Sequence, residues 1–218
     1  MTRLVEVRTQ ILKQNDVVAR ELRKQFAQQR RFVVSMVSSP GSGKTELLQK
    51  TLEQLGQRYR VAAVVGDLAT ENDANRLARS GAMVRQITTG TLCHLEAELV
   101  REAIEPWNDL PLDFLFIENV GNLVCPSSYD LGESLRVVLF SVAEGEDKPC
   151  KYPTIFNTAD ATVITKIDLA DAVEFDEAAA RGCVERVRPG MPIIRVSAKT
   201  GDGMPEWIDW LVGQRGKT

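Results

Sequence analysis

The chain of 218 residues is poor in several features that would assign it quickly to a class of protein. It carries one histidine and four cysteines, and its 27 basic and 30 acidic residues nearly balance. This balance gives no global reason to expect binding to nucleic acid or to an acidic membrane surface. No apolar run approaches the roughly 18–20 residues that cross a bilayer, and the start lacks the apolar core of a signal peptide. We therefore expect a cytoplasmic protein that binds neither nucleic acid nor membrane.

Residues 32–45, FVVSMVSSPGSGKT, form the most informative segment of the chain. An apolar, β-branched run enters a glycine-rich turn that ends in Gly43-Lys44-Thr45, and leucines at helical spacing follow. A strand, a glycine-rich loop and a helix start in this order surround phosphates with backbone N–H groups, while Lys44 reaches the outer phosphates and Thr45 binds Mg²⁺. The usual pattern begins with glycine where this chain has Ser38. Despite that departure, the segment predicts a P-loop.

Strand patterns and helix patterns alternate from residue 32 onward. Strands are predicted over residues 32–38, 61–66, 83–87, 114–119, 135–142, 161–165 and 192–197. Several are continuous apolar runs, which are typical of a parallel sheet that is covered by helices on both faces. We therefore predict a three-layer α/β P-loop NTPase fold, with a mostly parallel sheet of about seven strands flanked by helices. Its ligand should bind at the carboxyl ends of the strands.

Helices are predicted between most of the strands, over residues 44–56, 73–80, 94–105, 174–187 and 204–213. Residues 120–134 and 143–160 are expected to be long connections. Apolar residues at helical spacing also predict an amphipathic helix over residues 3–26, which either packs onto the domain or forms an arm for a partner. We therefore divide the chain into an N-terminal amphipathic helix, residues 1–31, and a nucleotide-binding P-loop domain, residues 32–218.

Two carboxylates are expected at strand ends near the P-loop. Asp67 ends the second strand, Glu118 ends the fourth, and Gly121 follows where it can approach a γ-phosphate. Phosphoryl transfer depends on charge placement, so we predict Lys44, Asp67 and Glu118 as catalytic residues, and Mg²⁺ as the cofactor held by Thr45, Asp67 and Glu118. The alternative for each carboxylate is a solvated acid at the end of a strand.

The base is indicated by residues 165–168, TKID. The Asp168 carboxylate can accept hydrogen bonds from the ring N–H and the exocyclic amine of guanine, while the Lys166 stem covers the base. Adenine lacks this pair of donors and would leave the carboxylate unpaired, at a cost of about 1–3 kcal/mol. Residues 197–199, Ser-Ala-Lys, can offer a backbone N–H to the guanine oxygen. The two segments together predict GTP and GDP as ligands.

A metal site is indicated by Cys93 and His94, which precede a helical pattern, and by Cys125, seven residues after Glu118. Isolated cysteines and histidines are usually structural, but these segments follow strands that should end on the nucleotide side. Thiolate and imidazole suit Zn²⁺ or Ni²⁺, and the sequence does not choose between the two ions. Three ligands leave a tetrahedral site incomplete, which predicts a site shared across a two-fold interface or one open to water.

Seven segments occur in the order found in the HypB hydrogenase maturation GTPases: SSPGSGKT, GDLATENDANR, ITTGTLCHLEA, IENVGNLVCP, EGEDKPCKYP, TKID and SAKTG. Over residues 32–200 the chain resembles this nickel-handling family of SIMIBI-class P-loop proteins. The resemblance implies a GTPase of slow turnover that dimerises when nucleotide binds and assists nickel delivery to [NiFe]-hydrogenase. It also implies maturation proteins and the hydrogenase large subunit as partners, and a Lys148 that reaches the nucleotide across the dimer.

The predicted nucleotide-binding residues are Gly41, Ser42, Gly43, Lys44, Thr45, Glu46, Gly121, Lys148, Thr165, Lys166, Asp168, Ser197, Ala198 and Lys199. Some members of the family carry a cysteine-rich motif or a histidine-rich stretch near the N-terminus for tight nickel binding. Residues 1–31 contain neither, so nickel handling should depend on Cys93, His94 and Cys125. Cys150 and Cys183 match no role in the family.

Three other functions compete with this interpretation. A UreG-like urease accessory GTPase would carry Cys-Pro-His, whereas Ser127 follows Cys125 and Pro126 here. A non-catalytic scaffold could carry metal and use GTP only to control dimerisation. A P-loop kinase for a small molecule is disfavoured by the two guanine-reading segments.

Overall fold

A computed structural model describes residues 2–67 and 72–217 of the chain. Within these residues there are seven strands: β1 (Phe32–Ser38), β2 (Val61–Asp67), β3 (Met83–Thr88), β4 (Phe114–Glu118), β5 (Leu135–Ser141), β6 (Ala161–Thr165) and β7 (Ile193–Arg195). They form one sheet in the order β3-β2-β4-β1-β5-β6-β7, and every neighbouring pair is parallel. The predicted α/β class and the strand count are confirmed.

The described α-helices are α1 (Thr2–Gln28), α2 (Lys44–Leu55), α3 (Asn72–Ala78), α4 (Ala97–Ile104), α5 (Lys148–Lys151), α6 (Pro153–Thr158), α7 (Glu177–Val187) and α8 (Met204–Arg215). Short 3₁₀ turns lie at Glu105–Trp107, Cys125–Ser128, Val142–Glu144, Ile167–Leu169 and Asp171–Val173. Among the described residues, no helix combines the length and the apolar character that a membrane crossing requires.

Helices cover both faces of the sheet because successive strand residues point to opposite faces and both sets are apolar. On β1, Val34 and Met36 pack into the core beneath α2 and α8, whereas Val33 packs into a second core beneath α1 and α4. A third core lies beneath α6 and α7, on β5 and β6. The result is the predicted three-layer arrangement.

The long N-terminal helix packs onto the sheet, which answers one question that the sequence left open. Ala19, Leu22 and Phe26 of α1 are fully buried in the core shared with α4. The Asn15 side chain donates to the Asp130 carbonyl at 2.8 Å and accepts from the Ala97 N–H at 2.8 Å. The described part of α1 is therefore a packed layer of the molecule, while the division at residue 31 stays a prediction.

Two predicted helices begin later than expected. The helix predicted from residue 94 begins at Ala97, because Glu96 is extended (φ −110°, ψ 154°) and the Leu95 N–H donates to the Asn119 side chain. The helix predicted from residue 174 begins at Glu177. Its true start is marked by Asp176, whose carboxylate accepts from the Ala179 N–H at 2.9 Å, as helix N-caps commonly do.

The long connection predicted over residues 143–160 joins β5 to β6 and contains the short helices α5 and α6, which were not predicted. Pro149 and Pro153 stand in their first turns, where the missing N–H of proline breaks no helical hydrogen bond. Predicted strand bounds shift by one or two residues, most at the last strand, which covers Ile193–Arg195 instead of residues 192–197. The carboxyl end of β1 is where it was predicted, and those of β4 and β5 shift by one residue.

The order of the strands places a binding edge beside β1. On one side of β1 lie β4, β2 and β3, and on the other lie β5, β6 and β7, so the carboxyl end of β1 is at the point where the strand order reverses. Met36 of β1 is aligned with Glu118 of β4, and Ser38 with Leu139 of β5. Ligands of open parallel sheets bind at this kind of switch point.

Candidate nucleotide and metal site

The loop between β1 and α2 has the backbone of a phosphate-binding turn. Gly41 and Gly43 adopt φ of 76° and 84°, a left-handed conformation that side chains other than glycine rarely take. Ser38, which stands where the usual pattern has glycine, is the last residue of the extended strand β1, and its hydroxyl donates to the Ser39 carbonyl at 2.8 Å. Serine therefore fits this position without backbone strain.

A cavity of about 760 Å³ opens above this loop at the carboxyl edge of the sheet. It is lined by Asp67 and by all of the predicted nucleotide-binding residues except Lys148, namely Gly41, Ser42, Gly43, Lys44, Thr45, Glu46, Gly121, Thr165, Lys166, Asp168, Ser197, Ala198 and Lys199. At its rim Glu46 forms an ion pair with Arg76 of α3, at 2.5 Å. The fold thus brings together residues that are up to 158 positions apart in the sequence.

Glu118 is buried beneath the loop, where it contacts the two residues that should bind phosphate and metal. Its Oε1 accepts from Lys44 Nζ at 2.9 Å and from the Thr45 hydroxyl at 2.6 Å. Within the described part of the chain, its Oε2 is buried and has no hydrogen-bond partner. A buried carboxylate oxygen without a donor is costly unless a cation or water pairs with it. Together with Thr45 and with Asp67 in the same cavity, Glu118 fits a Mg²⁺ site.

The opposite end of the cavity carries the predicted base-reading residues. The Ser197 hydroxyl donates to Asp168 Oδ1 at 2.7 Å, which joins the segments after β6 and β7. Lys166 has φ of 58°, and its Nζ donates to the Gly41 carbonyl at 2.7 Å. The buried Thr165 hydroxyl donates to the Ser42 carbonyl at 2.6 Å. Thr165 and Lys166 therefore hold the phosphate loop, and Asp168 faces the cavity beyond them.

Gly121 is the point where the segment after β4 meets the phosphate loop. A Cβ atom at this position would lie 3.1 Å from both the N and the Cα of Pro40, which is closer than side chains normally approach backbone. The glycine therefore lets the two segments touch without displacing the loop.

Replacing Gly121 with alanine should push the phosphate loop out of position and lower GTP affinity about tenfold, the equivalent of about 1.4 kcal/mol. Titration of a fluorescent GTP analogue measures this loss. The matched control is Gly213→Ala, because a Cβ on Gly213 meets no atom of the described residues within 4 Å. Unchanged affinity in Gly121→Ala would contradict the close packing that we describe.

Glu144, which was not predicted from the sequence, lies against the phosphate loop. Burial favours its neutral form, but hydrogen bonds led by that from the Ser141 N–H, and including one with the Ser39 side chain, lower the pKa of Glu144. Lys148 Nζ lies 3.2 Å from Glu144 Oε1 and 5.1 Å from the centre of the Tyr152 ring. The Ser-x-x-Glu spacing of a capping box could have flagged this residue.

The three predicted metal ligands converge although they come from two separate segments. The Cys93 and Cys125 sulfurs and a ring nitrogen of His94 all lie within 4.8 Å of one another. The two sulfurs are 2.6 Å apart, and His94 Nδ1 is 3.9 Å from the Cys93 sulfur. The hydrogen bond with Cys125, followed by burial, raises the pKa of the Cys93 thiol, and burial lowers that of His94 against the pull of Glu96. An imidazole kept neutral is the form that ligates metal.

Tyr129 is a further part of this site that sequence reasoning missed. Its ring stacks on the His94 ring with centroids 3.9 Å apart and an interplanar angle of 29°. At the edge of the ring, Glu96 Oε1 lies 3.5 Å from His94 Nε2. Both contacts fix the orientation of the imidazole, as residues around metal ligands commonly do.

Short hydrogen-bonded links join the metal segment to the nucleotide cavity. The Asn119 side chain, next to Glu118, accepts from the Leu95 N–H at 3.0 Å, directly after His94. The Thr89 N–H donates to the Asp67 carbonyl at 2.9 Å, and the Thr89 hydroxyl donates to the Leu92 carbonyl at 2.8 Å. Each strand end that carries a carboxylate is thus tied to the segment that carries Cys93 and His94.

A family model for the CobW/HypB/UreG nucleotide-binding domain matches residues 32–195. The chain is 47% identical to the hydrogenase maturation factor HypB of Azotobacter vinelandii over 215 residues, which span 99% of this chain and 71% of that protein. The chain belongs to the HypB family. The resemblance predicted from the sequence is confirmed.

Two comparisons with Helicobacter pylori extend this HypB assignment. The chain is 39% identical to the hydrogenase/urease maturation factor HypB of that organism, covering 97% of this chain and 88% of the relative. Its fold superposes on the crystal structure of HypB from Helicobacter pylori in complex with nickel with a TM-score of 0.88, covering 94% of this chain and 96% of that one. The P-loop fold predicted for the chain is therefore that of the HypB hydrogenase maturation factors.

Proposed function

We propose that this HypB-family chain is a GTP-hydrolysing metallochaperone that assists nickel insertion into [NiFe]-hydrogenase. One observation carries the proposal: a phosphate loop with a buried Lys44–Glu118 pair is tied by short hydrogen-bonded segments to a Cys93–His94–Cys125 cluster. The nucleotide site and the Cys/His metal site lie at the same edge of the sheet, so a ligand bound in one site can change the affinity of the other. A module that only binds nucleotide would have no use for these links.

Binding of GTP should begin by redistributing the charges on the phosphate loop. Lys44 forms an ion pair with Glu118, and its ammonium group would also contact the outer phosphates once GTP is bound. Thr45, Asp67 and Glu118 would hold Mg²⁺, which when bound supplies positive charge against the phosphate oxygens. The Oε2 of Glu118, buried and without a hydrogen-bond partner among the residues that the structure describes, supports this assignment. Lys44 and the loop N–H groups would then stabilise the negative charge that shifts toward the leaving phosphate oxygen in the transition state of phosphoryl transfer.

Guanine selection rests on Asp168. Ser197 already occupies Oδ1 as a donor and so fixes the plane of the carboxylate toward the cavity. A carboxylate that is held in this way accepts from the ring N–H and the amine of guanine and finds no such donors on adenine. We propose that the backbone of residues 197–199 completes the recognition.

Nucleotide binding should affect nickel binding through the carboxyl ends of β2 and β4, which are hydrogen-bonded to the segment that carries Cys93 and His94. Loss of the γ-phosphate would release Gly121 and the adjoining segment, which reaches Cys125 four residues later. Asn122 braces that segment, since its side chain accepts from the Val124 N–H at 2.7 Å. We infer that the metal site is held together in the GTP state and loosened after hydrolysis.

Nickel is the cargo of this cycle, and a second copy of the chain should complete its site. Three ligands leave one tetrahedral position unfilled. Leu92 and Val124, which flank Cys93 and Cys125, are 40% and 62% exposed, an apolar surface that a partner would cover. We propose a GTP-dependent homodimer that shares the metal across this surface, with Lys148 released from Glu144 to reach the neighbouring nucleotide. Zn²⁺ satisfies the same ligands and is the competing ion.

The proposal is tested by measuring phosphate release over many turnovers with Mg²⁺, together with light scattering in GDP and in a non-hydrolysable GTP analogue. We expect slow but repeated turnover of GTP, none of ATP, and a dimer only with the analogue. A single turnover would favour the scaffold that uses GTP without catalysis. Equal hydrolysis of ATP would contradict the guanine assignment.

Urease is the second candidate acceptor, because the relative from Helicobacter pylori is a hydrogenase/urease maturation factor. The residue after Cys125-Pro126 is serine, so the chain lacks the Cys-Pro-His of a UreG-like protein. We therefore place hydrogenase maturation proteins and the hydrogenase large subunit first as partners. Nickel transfer to hydrogenase and to urease apoproteins, compared side by side, decides between them. We place this activity in the cytoplasm, where Cys93 and Cys125 stay reduced.

A further inference from the structure

The two cysteines outside the metal cluster also lie together, on different helices. Cys150 is exposed on α5, and Cys183 is buried on α7. Both sulfurs are within hydrogen-bonding distance of the same Arg186 nitrogen, Nη2, at 3.2 Å from Cys150 and 2.9 Å from Cys183. The Cys150 sulfur is also 4.0 Å from the Cys183 carbonyl oxygen. The pair thus brings two thiols and a cation to one place.

The guanidinium decides which chemistry this pair suits. A positive charge between two sulfurs repels a metal cation, so the pair is poorly suited to bind one. The same charge stabilises a thiolate, which is the reactive form of cysteine. The hydrogen bond with Cys183 and, against the effect of burial, the hydrogen bond with Arg186 lower the pKa of the Cys150 thiol, whereas burial raises the pKa of the Cys183 thiol. The exposed Cys150 thiol is therefore the nucleophile, and the buried Cys183 thiol is placed to react with the oxidised Cys150.

We propose that Cys150 and Cys183 form a peroxide-reactive thiol pair that closes to a disulfide between α5 and α7. The Cys150 thiolate attacks one peroxide oxygen, so that an S–O bond forms, the O–O bond breaks, and the departing hydroxide takes up the proton shed by the thiol to leave as water. The Cys183 sulfur then attacks the resulting sulfenic acid, the S–O bond breaks, and a second water leaves with the Cys183 proton. One peroxide is reduced to two waters while two thiols are oxidised to one disulfide.

The inference does not depend on the proposed function, since it needs neither nucleotide nor nickel. The position of Cys150 nevertheless means that the disulfide would affect that function. Cys150 lies two residues after Lys148, which forms an ion pair with Glu144 beside the phosphate loop. A disulfide to α7 would fix the helix that carries Lys148.

The experiment uses the full chain carrying Cys93→Ser and Cys125→Ser, in which Cys150 and Cys183 are the two remaining thiols. Hydrogen peroxide is added in an amount equimolar with the chain. After denaturation, the free thiols are counted with a maleimide. The linked peptide is identified by mass spectrometry. We expect both thiols to disappear together and a Cys150–Cys183 peptide to appear. With Cys183→Ser, Cys150 should instead be trapped by dimedone as the sulfenic acid. Peptide mapping of the wild-type chain should show the same linked peptide.

Arg186→Gln should slow the loss of thiols about threefold or more, because a higher thiol pKa lowers the thiolate fraction faster than it raises nucleophilicity. Arg186→Lys, which keeps the charge, should recover part of the rate even if either variant is slightly less stable. The matched control is Arg181→Gln on the same helix, since Arg181 pairs with Glu177. An unchanged rate in Arg186→Gln, or oxidation of Cys150 to sulfinic acid while Cys183 stays free, would overturn the proposal.

Discussion

Replacing Asp168 with asparagine is expected to lower GTP affinity about 10- to 100-fold and to raise affinity for xanthosine triphosphate by a similar factor. Aspartate offers two acceptors to guanine, which presents two donors. Asparagine offers one acceptor and one donor, which match the ring N–H and the C2 carbonyl oxygen of xanthine. The variant therefore exchanges one base preference for another instead of only losing affinity. Ser197, which donates to Oδ1, can donate to the amide oxygen in the same way.

The measurement is a competition titration of GTP, XTP and ATP against a fluorescent guanine nucleotide, in the wild-type chain and in Asp168→Asn. Asp171→Asn is the matched control, since Asp171 is an exposed acid in the next turn and does not line the cavity. Loss of GTP binding without any gain for XTP would mean that Asp168 supports the fold and does not read the base.

Replacing Cys93 with alanine is expected to weaken nickel binding at least about 100-fold, while GTP hydrolysis stays within about threefold of the wild type. Removing a residue that merely supports a metal ligand costs 10- to 100-fold, so removal of a ligand should cost at least the upper end. Cys93 does not line the nucleotide cavity. Hydrolysis should therefore continue without it.

Nickel affinity is measured with a competing metal indicator, and hydrolysis by phosphate release on the same preparation. Cys150→Ala provides the control for the loss of a thiol outside the cluster, because Cys150 contacts Arg186 and not His94. If Cys93→Ala abolished hydrolysis as well, the cysteine would be a structural residue and the metal assignment would fail.

The sequence predicted the parts of the site whose residues lie in short continuous segments that follow strand patterns. The P-loop is one uninterrupted segment, and the TKID and SAK segments follow strand patterns, so parallel topology alone brings Asp168 to Ser197. The Cys93–His94–Cys125 cluster was predictable for the same reason, because both of its segments follow strands that end at the binding edge.

The parts that the sequence missed depend on contacts through space. Tyr129 stacks on His94 because of the orientation of the short 3₁₀ turn that begins at Cys125. No residue spacing in the sequence predicts that orientation. The bond from the Leu95 N–H to Asn119 delays the start of α4, although residues 94–105 keep a helical pattern. The pairing of Lys148 with Glu144 required the unexpected helix α5, whose four residues are too few for periodicity to reveal.

One of these missed contacts, the hydrogen bond from the Leu95 N–H to Asn119, also connects the two sites. Asn119 and Thr89 tie the strand ends of Glu118 and Asp67 to the segment that carries Cys93. Gly121 rests on Pro40 of the phosphate loop. A change in the loop on hydrolysis would therefore be transmitted over a few residues to each side of the metal cluster.

The central claim is that nucleotide and nickel occupy linked sites, and calorimetric titration of nickel tests it most directly. The chain is titrated in saturating GDP and in a saturating, non-hydrolysable GTP analogue. We predict at least about fivefold tighter nickel binding with the analogue, and by linkage the same factor in the preference of the nickel-bound chain for the analogue over GDP. Equal nickel affinity in the two nucleotide states would contradict the account.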